Sequence, residues 1–275
     1  MTTILLVDNG SRRPESVLAL RDLAARLTAY TGQIITPVSL QHSDHIDTAL
    51  LDQRPAIVLT SCLRQQLLLG RRDFIILPLF FGPSRALTEF IPTQVAILQN
   101  ELGWFDVRMA EVLCPLPAGE PLLVEILSDQ LQHCISQQSA LPDQIILVDH
   151  GSPVSQVTAV RTWLAQQLTV RLQHIAPVSE AVMERRSERE YDFNGQLLTE
   201  VLKNHAMRDP RCRITLSMLF FFAGRHAGQE GDIATICRTA MTHHSELSIA
   251  VTPLVGQHRR LIELLAHRLQ AVNCA

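Results

Sequence analysis

Three side chains able to hold a metal or move a proton stand just past apolar runs in the second half of the chain. His150 closes the run in "ILVDHGSPV", Glu180 follows residues 175–178, and His226 lies in "AGRHAGQEGD" after residues 216–222. Two neutral imidazoles and a carboxylate suit a divalent first-row metal such as cobalt, nickel or iron. The same groups can take protons near neutrality, because an unperturbed histidine titrates at about pH 6.5. One histidine after one strand more often serves a loop. Three ligand types at three strand ends of one half point to a site. We therefore take His150, Glu180 and His226 as candidate metal ligands and catalytic bases, with Glu184 competing for the acidic role.

The elements that position these groups follow from the apolar pattern. Residues 4–7, 34–38, 56–59, 74–80 and 107–112 read as strands, and 16–27, 46–51, 86–102 and 121–135 as helices. Strand–helix alternation implies a mostly parallel sheet with helices on both faces. In the second half, residues 145–148, 175–178 and 216–222 are the corresponding strands. Ligands in such sheets bind beyond the carboxyl ends of the strands, where the three candidates fall. Gly151 and Ser152 suit a tight turn into a helix capped by Ser152.

The two halves repeat one another. A shift of 141 carries Asp8, Gly10 and Ser11 to Asp149, Gly151 and Ser152, and Phe80-Phe81 to Phe221-Phe222. A shift of 140 aligns Pro37-Val38-Ser39 with Pro177-Val178-Ser179, and one of 138 aligns Pro115-Leu116 with Pro253-Leu254. The expected organisation is two tandem-duplicated α/β lobes, 1–138 and 139–275, with a cleft between them. On this alignment Asn9, Leu40 and Arg85 stand where the second half has His150, Glu180 and His226. The reactive site is thus expected in 139–275, and 1–138 keeps the fold without the ligands.

Composition removes several classes. Net charge is −3 over 275 residues with no long basic run, which argues against nucleic acid as a partner. The six cysteines are scattered without C-x-x-C spacing, so no zinc finger, redox pair or iron–sulfur cluster is expected. No P-loop or G-x-G-x-x-G occurs, so no nucleotide is expected. The N-terminal apolar run is too short for a signal segment or a membrane span, and a cytoplasmic location is expected. His243, His244, His258 and His267 read as surface or partly buried residues, and "MERRSERE" as a solvated helical face.

"VDHGSP", "PVSEAVMERRSEREYDFN" and "FFFAGRHAGQEGDI" resemble the long, two-repeat class II chelatases that act on sirohydrochlorin, and the likeness covers nearly the whole chain. It implies insertion of Co²⁺ or Fe²⁺ into sirohydrochlorin, for cobalamin or siroheme, with Ni²⁺ or Zn²⁺ as possible substitutes in vitro. It puts the metal and base roles on His150, His226 and Glu180 and requires no cofactor beyond the substrate metal. Sirohydrochlorin has many carboxylates around an apolar ring. Arg12, Arg13, Arg85, Arg185 and Arg225, with Arg186, are the candidates to bind them. Phe81, Phe222 and Met183 are candidate apolar walls. A monomer or a homodimer fits, and a non-catalytic tetrapyrrole or metal carrier on the same scaffold is the alternative function.

Overall fold

Short apolar runs without alternation become strands buried on both faces, as a parallel sheet covered by helices requires. In the first repeat β1 (Thr3–Asp8), β2 (Ile35–Ser39), β3 (Asp73–Pro78) and β4 (Asp106–Met109) pair in parallel in the order β2-β1-β3-β4. In the second, β5 (Gln144–Asp149), β6 (Val178–Val182), β7 (Arg213–Met218) and β8 (Ser248–Val251) pair in the order β6-β5-β7-β8. The computed structural model describes residues 2–274.

The helices are α1 (Pro14–Thr31), α2 (Leu59–Leu68), α3 (Ile91–Leu102), α4 (Pro121–Ser136), α5 (Ser155–Leu172), α6 (Leu198–Arg208), α7 (Asp232–His243) and α8 (Leu261–Cys274). Helix α1 shows why they form. Proline occupies its first turn, Val17, Leu20, Leu23, Ala24 and Leu27 make one buried stripe, and Gly32 ends it in the left-handed region with its N–H on Thr28 O.

Packing divides the chain into two compact units that do not follow the repeat boundary. One holds the chain up to Ala118 together with the stretch from Ile262 onward; the other is Gly119–Leu261. The closing helix of each repeat thus serves the other repeat's sheet. In the second unit, Leu123, Ile126, Leu127 and Leu131 of α4 are fully buried, and Gln130 Nε2 donates to Leu254 O at 2.8 Å. In the first unit, Arg268 of α8 donates to Val112 O and Leu113 O at 3.0 and 3.2 Å.

Several elements differ from the sequence reading. In place of the helix expected over 46–51 stand two 3₁₀ turns, Ser43–His45 and Thr48–Leu51, with the Asp47 side chain accepting from Ala49 N–H. Residues 56–59 supply a single bridge, Ser39 to Val58, because α2 begins at Leu59. The helix expected over 86–102 opens with one π turn, Ala86–Phe90. The strand expected over 175–178 lies further on, as β6, because Pro177 has no N–H for the ladder and the strand starts beyond it. "MERRSERE" is loop leading into a 3₁₀ turn, not an α-helical face.

Candidate active site

In each sheet the connections reverse direction between the two central strands, and ligands of open α/β sheets bind outside the carboxyl ends of strands at such a point. His150 follows β5, and His226 lies in the loop beyond β7, so they flank this point in the second sheet. Their ring centroids are 4.5 Å apart with the planes at 65°.

Gly151 sets the position of His150. Its φ is +99°, and a Cβ there would stand 2.0 Å from Glu184 O, so only glycine lets the loop press against the chain leaving β6. Met183 N–H bonds Asp149 O at 2.8 Å and Glu184 N–H bonds His150 O at 3.1 Å. The Glu184 carboxylate is thereby delivered to His150, with Oε1 3.0 Å from Nε2. Nδ1 of the same ring lies 3.0 Å from Gly151 O. Both ring nitrogens face oxygen atoms, and Nε2 with Glu184 Oε1 sets one nitrogen and one oxygen side by side, as a pair of metal ligands would need.

His226 is held differently. Its Nδ1 lies 2.6 Å from Asp232 Oδ2. A carboxylate can only accept, so Nδ1 carries the proton and Nε2 keeps its lone pair for a metal or a proton. The loop coils back to allow this: Asp232 N–H bonds Arg225 O and Ile233 N–H bonds His226 O, each at 3.1 Å. His150, Glu184 and Asp232 are substantially exposed, so the histidine pair is open to solvent. Among the described residues no three His, Cys, Asp or Glu side chains close around one point.

Glu180 is not brought to the histidines. It lies in mid-strand, opposite Leu147, because β6 runs on to Val182. Its Oε2 accepts from Arg161 Nε at 2.9 Å, and both oxygens accept from Thr162 Oγ1 at 3.1 and 3.0 Å. Strand β6 ends at Val182, and two residues past it stands Glu184. The pairing also corrects the alignment of the repeats. Leu6 pairs with Pro37 and Leu147 with Glu180, so Pro37, not Leu40, matches Glu180. Gln41 then matches Glu184, and a Cβ on Gly10 would meet Gln41 O at 1.9 Å as its counterpart on Gly151 meets Glu184 O. Likewise Leu79 and Leu219 donate to Val7 O and Val148 O, so Phe80-Phe81 matches Phe220-Phe221, one residue earlier than the sequence shift suggests.

The arginines separate into free-standing and tethered groups. Arg12, Arg13 and Arg85 are exposed in the first unit, with Arg85 Nε 3.8 Å from Glu89. In the second unit Arg185 is tied to Asp192 at 2.8 Å, and Arg186 donates to Tyr191 OH at 2.9 Å while stacking on its ring. Arg225, 77% exposed, has Nε 3.8 Å from the Asp232 carboxylate that holds His226. Met183 is not an apolar wall: it is 6% exposed and packed in the core with Leu198 and Val201. Phe81 and Phe222 are half-buried. Ser152 Oγ caps the turn at Val154 N–H, not helix α5, whose first turn has no side-chain cap.

The groove between α6 and α7, about 430 Å³, is lined by Thr199, Lys203, Ile236 and His243 among others and includes none of the candidate residues. The convergence of histidine and carboxylate, not cavity size, marks the candidate site. Burial pushes the Cys62 and Cys237 thiols up to about 11, which leaves them unreactive.

Sequence reasoning passed over Asp232, Arg161 and Asn194. Asp232 has a weak signal, an acid at the helix start six residues after His226. Arg161 has a stronger one, a charge inside the apolar stripe of α5 where the first repeat has Leu20.

The CbiX family model matches residues 3–134 and again residues 144–272. The chain belongs to the CbiX family. The chloroplastic sirohydrochlorin ferrochelatase of Arabidopsis thaliana is 26% identical over 144 residues, 52% of this chain and 57% of that protein, so the match spans little more than half of the curated relative. SirB from Bacillus subtilis with Fe³⁺ shares the fold at a TM-score of 0.68 and 13% identity, over 98% of this chain and 95% of that one. CbiX, the terminal enzyme for siroheme biosynthesis in denitrifying bacteria, does so at a TM-score of 0.58 and 16% identity, over 98% of each chain. No helix among the described residues is long and apolar enough to cross a membrane.

Proposed function

We propose that this member of the CbiX family inserts a divalent metal, Fe²⁺ or Co²⁺, into sirohydrochlorin. The observation that carries the reading is the pair of imidazoles 4.5 Å apart at the switch point of the second sheet, one facing Glu184 and the other backed by Asp232. The family and the Arabidopsis relative, a sirohydrochlorin ferrochelatase, supply the substrate class.

The chemistry follows from the groups. His226 Nε2, His150 Nε2 and the Glu184 carboxylate offer the metal exchangeable N and O ligands. Metallation breaks two pyrrole N–H bonds, forms metal–nitrogen bonds and releases two protons. As the metal leaves for the ring, His150 and Glu184 regain the ability to hold a proton between them, so release of metal and uptake of a pyrrole proton are coupled. A metal that must leave again is poorly served by a closed cage. Arg225 beside Asp232 and the exposed Arg12, Arg13, Arg85 and Arg185 are the side chains we assign to substrate carboxylates. All three reactive side chains lie in one compact unit, which supports a monomer as the working form. Among the described residues Cys62, Cys134, Cys212 and Cys237 are thiols, which supports a reducing, cytoplasmic setting.

Anaerobic metallation of sirohydrochlorin, followed by absorbance with Fe²⁺ and Co²⁺ offered separately, tests this. Acceleration over the protein-free rate, lost in His150→Ala and His226→Ala, is expected. Tight binding of the ring without acceleration would refute the enzyme and leave a carrier.

A further inference from the structure

The largest side chain that is almost completely buried is a charged one, Arg161 on α5, at 1% exposure. All three faces of its guanidinium are used. Nη1 donates to Asp149 Oδ1 at 2.5 Å, Nε to Glu180 Oε2 at 2.9 Å, and Nη2 to Asn194 O at 2.6 Å. Asn194, equally buried, grips the loop after β5. Its Oδ1 accepts from Ser152 N–H at 3.0 Å and from Thr158 Oγ1 at 3.1 Å, and its Nδ2 donates to Ser152 O at 2.9 Å. His150 therefore sits between two residues tied to one guanidinium: Asp149 directly, and Ser152 through Asn194.

The first repeat provides an internal control. It has the same strand, the same glycine turn and the same buried aspartate, Asp8. Leu20 stands in place of Arg161 and Pro37 in place of Glu180. Ser39 N–H bonds Ile57 O as Val182 N–H bonds Gln196 O, which puts Pro55 in place of Asn194. One position further along the matching helix, Arg21 donates to Pro55 O at 3.0 Å and to Leu51 O and Arg54 O, so the first repeat keeps an arginine bond to this loop. It has no counterpart of the carboxylate bridge from Asp149 to Glu180 or of the Asn194 side chain on Ser152, and it is the repeat with Asn9 and Gln41 in place of His150 and Glu184. The first sheet forms without that bridge, with Leu5, Leu6 and Val7 fully buried. A device needed only to build the sheet would be needed in both.

Resting on the proposed function, we infer that Arg161 is a positioning residue, which acts with Asn194 to hold the His150 loop in register with Glu184 and His226. Its planar fork is what the task requires. A lysine ammonium is a point charge and cannot bridge Asp149, Glu180 and Asn194 O in one plane.

The test compares Arg161→Lys, Asn194→Ala and the milder Thr158→Val with Arg213→Lys. Arg213 pairs with Asp143 in the same unit, outside the site. Two readouts are taken on folded protein: sirohydrochlorin metallation, and titration with Co²⁺ alone, read from its visible spectrum. Groups that orient metal ligands from behind are worth about 10–100-fold in affinity or activity. We expect Arg161→Lys and Asn194→Ala to lose that much in Co²⁺ affinity and in kcat, with KM for sirohydrochlorin within about twofold of wild type. Arg161→Lys/Asn194→Ala should lose little more than either single variant, because both act on one loop. Thr158→Val should show the same split at smaller size if the larger changes prevent folding. Losses that only track the folded fraction, or that match those of Arg213→Lys, would overturn the proposal. Failure of wild type to metallate would refute the chelatase reading alone, and the Co²⁺ titration would still decide the role of Arg161.

Discussion

Glu180 and Glu184 lie four residues apart in different surroundings, one bonded to Arg161 and the other facing His150, so paired Glu→Gln variants test the proposed site directly. Glu184 is 61% exposed and faces His150 Nε2 at 3.0 Å. For a dication about 4 Å from a carboxylate in a water-like dielectric, the attraction is about 2 kcal/mol, or roughly 30-fold in affinity. Glu184→Gln removes that charge and keeps the shape. We expect Co²⁺ affinity and the metallation rate to fall by about 30-fold with little change in thermal stability. Glu180→Gln removes charge from a bond to the buried Arg161, a loss of about 1.5–3 kcal/mol. The melting temperature should drop by about 3–10 °C. Metallation assayed below that transition should stay within about threefold of wild type, because Asp149 and Asn194 still hold Arg161. Anaerobic metallation, Co²⁺ titration and a thermal melt on each variant complete the set. Full activity in Glu184→Gln, with activity lost and stability intact in Glu180→Gln, would refute the assignment and return the ligand role to Glu180.

Asp232→Asn leaves the shape of the His226 partner but not its charge; Co²⁺ titration should show about 10–100-fold weaker binding. Gly151→Ala puts a Cβ 2.0 Å from Glu184 O at a φ of +99°, so chemical denaturation should show a loss of more than about 1 kcal/mol, accompanied by weaker metal binding. Asp8 is enclosed without an arginine, and burial raises its carboxyl from 3.8 to about 6. The stability from its protonated form is fully present below the unfolded value of 3.8 and lost as pH rises through about 6. Above that, the buried carboxylate costs about 3 kcal/mol. Asp8→Asn should therefore raise the melting temperature at pH 8 and do little near pH 4, as paired melts would show.

What the sequence made legible depended on how sharply each element ends. The runs that become β1, β5 and β7 are apolar without interruption, and His150 and His226 could be placed from them. Strand β6 was harder, because Pro177 interrupts the run and the ladder begins after it. That slip of a few residues puts the strand end at Val178 instead of Val182, and the candidate acid beyond it at Glu180 instead of Glu184. Asp232 reaches His226 only because the loop coils back on itself, a path that local propensity does not encode. The exchange of α4 and α8 was equally hidden. Two closing helices with the same amphipathic pattern fit either sheet equally well on periodicity alone, so only tertiary packing distinguishes the partners.

The corrected register sharpens what the duplication has done. Asn9 and Gln41 occupy the backbone positions of His150 and Glu184, and both are amides. They can hydrogen-bond, but they offer neither an imidazole lone pair nor a negative charge, the two things a divalent transition metal needs. The Arg161 cluster has been replaced with them, by Leu20, Pro37 and Pro55. A buried ion pair is poor evidence of stabilisation, because desolvating the charges costs about as much as their attraction returns. In the first repeat Leu20 is 2% exposed at the matching helix position, and the neighbouring Arg21 reaches Pro55 O rather than Asp8. Asp8 is left enclosed with Oδ1 unpartnered. An arginine there would have relieved that carboxylate, yet the lobe folds without one. Stability alone therefore does not account for Arg161 in the second repeat. On the proposed reading, what separates the two repeats is the need to keep one histidine, one carboxylate and their loop in a fixed relation.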